Sequence, residues 1–338
     1  TIKSHIKEYS VNISTDFNEI KSIKTDKNIF FVIDKTLYEL YHNILFTNIP
    51  SDQLFLLDAR EENKTIETAL EICEIMTNIP AKRNSMLVSF GGGIVQDVSV
   101  FVANILYRGI RWSFYPTTFL AACYSCIGGK TSLNYKNYKN LLGTFFPPDE
   151  INICTAFFNT LSEKDFKSGL GEVVKFNIML GEQGIHNIEQ SIELLLARNS
   201  IQIMKFVNSS LAYKKEFIEA DEFDRGIRIH LNFGHTFGHA FETMSHYEIP
   251  HGTAVAMGMI VANRISLKRG WLKEETVLRI EEILLKIIHI DQKHITVNID
   301  KIIQAIHKDK KQTGTELTAV LMKNNMVLQI VHDVKYKE

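Results

Sequence analysis

Two histidines stand four residues apart in Asn232-Phe-Gly-His235-Thr-Phe-Gly-His239-Ala-Phe-Glu242, a spacing that stacks their imidazoles on one face of a helix. A third, His251, precedes Gly252 at the start of the next helical stretch. Imidazoles gathered in this way suit a divalent cation, which also needs a further donor. Gly171-Glu172-Val-Val-Lys175 offers one, with a carboxylate and an amine at i, i+3 on another helix. Spacing leaves any of the three imidazoles open as a ligand. The ordinary alternative for each is a satisfied histidine in or near the core.

Amines and amides gather in Gly128-Gly129-Lys130-Thr131 and Asn134-Tyr-Lys-Asn-Tyr-Lys139-Asn140. Such a composition suits either a solvated loop or an anionic, phosphorylated substrate. The Walker spacing is absent, which disfavours a nucleoside-triphosphate P-loop. Gly91-Gly92-Gly93 follows the apolar run Met86 to Phe90 and opens a helix near Ile94, where a dinucleotide pyrophosphate could sit on free N–H groups and the helix dipole. Gln96 takes the sixth position of the glycine fingerprint, so a tight turn that needs glycine for steric reasons is the competing reading. Asp34, closing an earlier apolar run, is placed either to take ribose hydroxyls or to cap a helix. Cys123 and Cys126 form a single C-x-x-C with no second pair to complete a zinc site, and are read as two small buried thiols.

These residues must be held by elements, and the first half alternates two periodicities. Ile29 to Ile33, Leu54 to Leu57, Met86 to Phe90 and Trp112 to Tyr115 read as buried strands. Between the second and third lies a helix, with Ile66, Leu70, Cys73 and Met76 as its apolar stripe and Asn78-Ile79-Pro80 as its stop. Strand, helix, strand in this rhythm implies a parallel sheet covered on both faces. The reading is a doubly wound, Rossmann-like α/β domain over 1–148. Pro147-Pro148 marks the boundary, since two prolines interrupt helix and ladder alike. The remainder, 149–338, reads as an all-helical domain, with helices over Ser200 to Glu219, Ala254 to Lys268 and Glu274 to Ile288 and a short β tail at Leu317 to Met322.

Composition excludes several classes. A 338-residue chain with 45% hydrophobic residues can bury a sizeable core, and 38 basic against 39 acidic side chains gives no electrostatic footprint for nucleic acid. No apolar run reaches the roughly 18 residues of a membrane span, and Thr1 to Glu8 lacks the pattern of a signal peptide. The expectation is a cytoplasmic protein. Its four cysteines are too few for a disulfide framework.

Taken together, the segments resemble the 3-dehydroquinate synthase family and the wider sugar phosphate cyclases, which are themselves similar to iron-type alcohol and glycerol dehydrogenases. Asp34, Glu61-Glu-Asn-Lys64-Thr, Gly91-Gly-Gly with Asp97, Tyr107-Arg108-Gly109, Pro116-Thr117-Thr118, Gly129-Lys130-Thr, Lys139-Asn140, Gly171-Glu172-Val-Val-Lys175, Asn232-Phe-Gly-His235 and His251-Gly252 stand in family register. The match runs from about Phe31 to about Met322, nearly the whole chain.

That resemblance implies a division of roles. NAD falls to Asp34, Glu61, Lys64, Gly91, Gly92, Gly93, Asp97, Thr117, Thr118, Lys139, Thr160 and Leu161. The divalent metal, zinc or cobalt, falls to Glu172, His235 and His251, which leaves His239 in the phosphate and proton-handling shell. Lys130, Lys175, His239 and Asn232 become the catalytic set. Substrate binding is implied for Lys130, Asn140, Asn232 and Lys310, for Arg108 reaching across a homodimer interface, and for Lys214 and Arg228 as a carboxylate clamp. The implied reaction removes hydride to NAD, eliminates phosphate, returns the hydride and closes a carbocycle by an intramolecular aldol step, so NAD is regenerated.

The Lys214 and Arg228 pair favours the heptulosonate substrate of dehydroquinate synthases over carboxylate-free sugar phosphates. Other cyclases remain alternatives, of the 2-epi-5-epi-valiolone, 2-deoxy-scyllo-inosose or aminodehydroquinate synthase type, as does an NAD-dependent polyol dehydrogenase. The expected partners are a small sugar phosphate and a second copy of the chain. Tyr124 stands where the family usually has an aspartate that contacts substrate hydroxyls, and Gln96 and Val100 replace usual glycines. The segment before Lys139-Asn140 also lacks its customary glycine. The chain reads as a divergent member.

Overall fold

The computed structural model describes residues 1–23, 25–78, 83–136, 138–290, 298–308, 317–335 and 338. The chain divides into two compact units, Thr1–Thr160 and Leu161–Glu338.

The first unit runs β1 (Ser10–Ser14), α1 (Asn18–Lys21), β2 (Ile29–Asp34), α2 (Lys35–Tyr41), β3 (Leu54–Leu57), α3 (Ile66–Asn78), β4 (Met86–Gly91), α4 (Gly93–Ile105), β5 (Arg111–Pro116), β6 (Lys130–Tyr135), β7 (Tyr138–Phe145) and β8 (Glu150–Cys154). Among the described residues, six strands form one parallel sheet in the order β1-β8-β5-β4-β2-β3. Phe30, Phe31, Val32 and Ile33 are consecutive and almost wholly buried, the mark of a central parallel strand covered on both faces. From β2 the chain goes outward to β3 and then returns to β4 on the other side. The sheet therefore reverses its order between β2 and β4, the crevice where α/β sheets bind ligands. Asp34 ends β2 and Gly91 ends β4, at the same edge.

All four expected strands form. The expected boundary at 148 needs correction, because β8 lies beyond it and completes the sheet against β1 and β5. Trp112, fully buried on β5, donates its indole N–H to the Pro147 carbonyl at 3.0 Å, and its backbone N–H donates to Asp149 at 3.0 Å. The prolines lie between β7 and β8 without ending the unit. Two further elements differ from expectation. The buried face of α3 is Ala69, Ile72 and Met76, while Leu70 is 52% exposed; α3 packs on α4, so its inward face is set by that helix rather than by the largest residues. The Asn- and Lys-rich stretch is not a loop but the antiparallel hairpin β6–β7.

The second unit comprises α5 (Glu163–Met179), α6 (Glu182–Leu196), α7 (Ser200–Ala220), α8 (His235–Met244), α9 (His251–Lys268), α10 (Glu274–Ile287), α11 (Ile299–Lys308) and the strands β9 (Leu317–Lys323) and β10 (Val327–Val334). The three long helices read from periodicity are present, with α9 beginning three residues earlier than expected, at His251. Ser162 caps α5 through Asp165 N, and Asn199 caps α7 through Gln202 N. Among its described residues the unit is helical apart from a hairpin: the expected tail is β9, and β10 pairs with it through a turn at Asn324–Met326. Among the described residues no helix is long and apolar enough to cross a membrane.

Candidate active site and metal centre

In the second unit α5, α8 and α9 converge. Glu172, on α5, is fully buried, His235 opens α8 with 3% exposure, and His251 opens α9. The helices come together because glycines remove the side chains between them. A Cβ on Gly171 would lie 2.2 Å from the Gly252 carbonyl oxygen, and one on Gly252 would lie 1.8 Å from that of Ser168. These glycines are the chain neighbours of Glu172 and His251, so the closest backbone approach sits beside both donors. Gly234, with φ +76°, turns the chain in the left-handed region just before His235.

The donor atoms meet at one point. Glu172 Oε1 lies 3.4 Å from His235 Nε2 and 3.3 Å from His251 Nε2. The three residues each bring a ligand atom within 4.8 Å of the others. Lys175 Nζ, also fully buried, lies 2.6 Å from Glu172 Oε2 and donates to the Leu231 carbonyl at 2.9 Å. Despite these contacts neither Glu172 oxygen has a well-directed hydrogen-bond donor, and buried carboxylate oxygens seldom stay so without a cation to serve. Both imidazoles are turned to offer Nε2: His235 Nδ1 faces the Phe233 carbonyl at 3.2 Å, and His251 Nδ1 faces Glu242 Oε2 at 3.4 Å. Orientation of a ligating imidazole through its second nitrogen is the usual design around a metal. Two imidazole nitrogens and a carboxylate fit zinc or cobalt.

The electrostatics agree. Burial would raise the Glu172 carboxyl, but Lys175 and His251 hold it below the usual carboxylate range. Burial opposes charge on His251, yet Glu242 and Glu172 outweigh it and push the imidazole up to about 10. A site that stabilises a proton there is one that also favours a cation. His239 stands alongside, its ring centroid 5.5 Å from that of His235 and 6.0 Å from that of His251, and it forms a second group of converging donors with Glu242 and His251. Asn232 closes the short Ile227–Asn232 turn just before His235.

Lys214 on α7 and Arg228 in that turn are both buried, 5% and 4% exposed, and α7 packs on the turn. Arg228 donates to the Glu222 carbonyl at 2.6 Å. Asp221 braces the loop by accepting from the backbone N–H groups of Arg225, Gly226 and Arg228. Burial pulls the Asp221 carboxyl upward, but those N–H groups prevail and lower it.

In the first unit the expected nucleotide residues Asp34, Gly91 and Thr117 lie at or just beyond the carboxyl ends of β2, β4 and β5. Gly92 is the N-cap of α4 and Gly93 its first residue. A Cβ on Gly91 would strike Val95 at 2.4 Å, and one on Gly92 would lie 3.0 Å from Thr118. The turn thus needs glycine for steric reasons as well as leaving N–H groups clear at a helix start. Thr117 N donates to the Gly91 carbonyl at 2.9 Å, and Thr118 Oγ1 accepts from Ala121 N at 3.2 Å. Asp34 caps α2 by accepting from Thr36 and Leu37 N–H; burial nonetheless raises its carboxyl, with Asp58 adding to the effect. Thr160 shares a hydrogen bond with the Tyr41 hydroxyl, and in the second unit the Leu161 carbonyl accepts from Arg198.

Glu61, Lys64, Asp97, Lys139 and Asn140 belong to one network. Lys64 Nζ reaches Asp97 Oδ2 and Asn140 Oδ1, both at 2.6 Å, and Lys139 Nζ lies 3.2 Å from Glu61 Oε1. Burial pushes the Asp97 carboxyl up even beside that amine. Lys130 begins β6, exposed, with Nζ 6.0 Å from the Phe145 ring centre. Arg108 is exposed in a short turn where it and Tyr107 both take positive φ. Tyr124, half-buried, lies in the π-turn Ala121–Ser125, whose last residue is locked to Gln96 by reciprocal hydrogen bonds at 2.9 and 2.7 Å. Cys123 and Cys126 are buried thiols, as expected. Lys310 lies outside the described residues. Sequence reasoning passed over Asp221 and Ser132, and it quoted Glu242 and Asn134 within their segments without giving either a role; Glu242, three residues after His239, carried a spacing signal.

Residues 54–168 match the 3-dehydroquinate synthase N-terminal family model and residues 169–312 its C-terminal counterpart. The chain belongs to the 3-dehydroquinate synthase family. A 3-dehydroquinate synthase from Clostridium tetani is 37% identical over 324 residues, covering 94% of this chain and 86% of that protein. Another from Dictyoglomus thermophilum is 33% identical, covering 98% of this chain and 94% of the relative. Among solved structures, 2-deoxy-scyllo-inosose synthase complexed with carbaglucose-6-phosphate, NAD+ and Co2+ superposes with a TM-score of 0.81 at 25% identity, covering 95% and 93% of the two chains. The fold of 2-epi-5-epi-valiolone synthase from Streptomyces hygroscopicus, solved with NAD+ and Zn2+, matches at a TM-score of 0.84 and 22% identity over 99% and 96%.

Proposed function

We propose that this chain is an NAD- and divalent-metal-dependent cyclase that converts a phosphorylated 3-deoxy-heptulosonate into a carbocycle and inorganic phosphate, the reaction class of its family. The observation that carries the reading is the buried meeting of Glu172, His235 and His251, with Lys175 one helical turn from the carboxylate.

When bound, zinc or cobalt supplies Lewis acidity that lowers the pKa of a substrate hydroxyl, and NAD supplies a reversible hydride acceptor. The chain's own residues bind and orient. Glu172, His235 and His251 hold the metal, while Glu242 and the Phe233 carbonyl fix the imidazoles. Lys175 keeps the Glu172 carboxylate charged. His239 and Asn232 hold the substrate, and His239 handles a proton beside the metal. Lys214 and Arg228 take the substrate carboxylate, a role suited to buried cations. Lys130, Asn140 and Lys310 hold the phosphorylated substrate. Asp34, Glu61, Lys64, the Gly91 to Gly93 turn, Asp97, Thr117, Thr118, Lys139, Thr160 and Leu161 serve NAD, with the start of α4 facing its pyrophosphate. The active form is a cytoplasmic homodimer in which the exposed Arg108 reaches its partner.

A second reading, a cyclase for another sugar phosphate, is favoured by Tyr124 in place of an aspartate. A polyol dehydrogenase would leave Lys214 and Arg228 without a role. A panel of heptulose and hexose phosphates, assayed for phosphate release, separates these. Release from the 3-deoxy-heptulosonate phosphate supports the proposal, release from a hexose or other heptulose phosphate alone supports the second reading, and release from none contradicts both.

A further inference from the structure

We infer that Asn134 is a positioning residue shared by the cofactor and substrate sites of the first unit, an inference that rests on the roles proposed above for Glu61 and Asn140. Its side chain makes three hydrogen bonds to two other segments. Nδ2 donates to Glu61 Oε1 at 2.9 Å and to the Glu61 carbonyl at 3.1 Å. Oδ1 accepts from the Asn140 backbone N–H at 3.0 Å. Its own backbone N–H donates to the Lys64 carbonyl at 2.8 Å.

The backbone is shaped for this task. The β6–β7 register shifts between Leu133 and Tyr135, where β7 carries two extra residues, so that Lys139, Asn140 and Leu141 face the single Asn134. A bulge of this kind re-aims one side chain out of the ladder. Asn134 itself is tied to Thr65 through an isolated parallel bridge. Asn140 adopts φ +52°, a conformation that asparagine tolerates but that needs anchoring. Asn134 anchors its main chain, while Lys64 at 2.6 Å and Ser132 at 3.0 Å hold its side-chain oxygen. One amide therefore fixes a cofactor-side carboxylate and a substrate-side amide together, and losing it should disturb both.

The test compares wild type with Asn134→Ala and Asn134→Asp in two readouts: the NAD dissociation constant, measured with the nucleotide alone, and KM against kcat with the phosphorylated heptulosonate. Asn134→Ala is expected to weaken NAD about tenfold and raise KM by a similar factor, with kcat altered less. Asn134→Asp keeps the shape but cannot donate, and its carboxylate faces Glu61 with Lys64 and Lys139 as neighbouring cations and Asp97 beyond Lys64. Its NAD affinity, relative to wild type, should be poor at neutral pH and recover as pH falls toward about 5, where the two carboxyls can share a proton. Asn134→Ala should show no such recovery. Wild-type NAD affinity in Asn134→Ala, or a ratio for Asn134→Asp that does not vary with pH, overturns the inference. A wild-type protein that binds no NAD overturns the roles beneath it as well, which distinguishes the two failures.

Discussion

Lys175 Nζ and Glu172 Oε2 lie 2.6 Å apart, one helical turn from each other, with neither side chain exposed. A buried ion pair loses most when only one partner is removed, because the other charge is then left unpaired in a medium of low polarity. Lys175→Met should therefore destabilise the metal-free protein by about 3–5 kcal/mol. Added Zn2+ should restore part of that loss by neutralising Glu172. Urea denaturation with and without metal checks both halves, and unchanged stability would count against the pairing.

Glu242 touches His251 Nδ1 from the side opposite Glu172. Glu242→Gln should weaken metal binding by about 10–100-fold, the usual effect of losing a partner that orients a ligating imidazole. Competition against a chelator of known affinity measures this. An unaltered affinity would place Glu242 outside the metal's support.

Glu61 gives a pH dependence with a definite sign. Burial raises its carboxyl, but the Asn134 amide, Lys139 and Lys64 together bring it below its ordinary 4.5. The stabilisation this represents is present above pH 4.5 and is lost as pH falls through the lower folded-state value. The stability difference between wild type and Asn134→Ala should accordingly be largest near neutrality and shrink below pH 4.5. Denaturation curves across that range test it, and a difference that grows in acid would reverse the assignment.

Tyr124 places a phenol where the family resemblance implies an aspartate, on a turn whose neighbour Ser125 is tied to Gln96. Tyr124→Asp should raise the rate of dehydroquinate formation severalfold. No gain, or a loss, would count against Tyr124 as the residue that reshapes specificity.

The parallel strands and the long helices were legible because a central strand such as β2 is apolar throughout and α7 and α10 carry strong helical periodicity. The hairpin β6–β7 was not, since its charged and amide side chains mask the alternation that Thr131 and Leu133 preserve on the buried face. Pro147-Pro148 misled the domain boundary because sheet membership is a long-range property, set here by Trp112 holding Pro147 and Asp149. At the site, the spacing of His235, His239 and Glu172 announced donors, but not which imidazole would turn inward. That depended on Gly171 and Gly252 bringing α5 against α9, and on Glu242 and the Phe233 carbonyl orienting the rings. Asn134 was read only as part of an amide-rich segment, since its contacts to Glu61 and Asn140 depend on a bulge that no local pattern encodes.

The most direct measurement follows phosphate release and NADH absorbance together, in one sample of zinc- or cobalt-loaded protein with NAD and the phosphorylated 3-deoxy-heptulosonate. A cyclase that regenerates its cofactor should release phosphate over many turnovers per NAD with no net NADH, and should stop when the metal is chelated. Net NADH rising in step with turnover, or no phosphate release from the metal-loaded protein, would contradict the account.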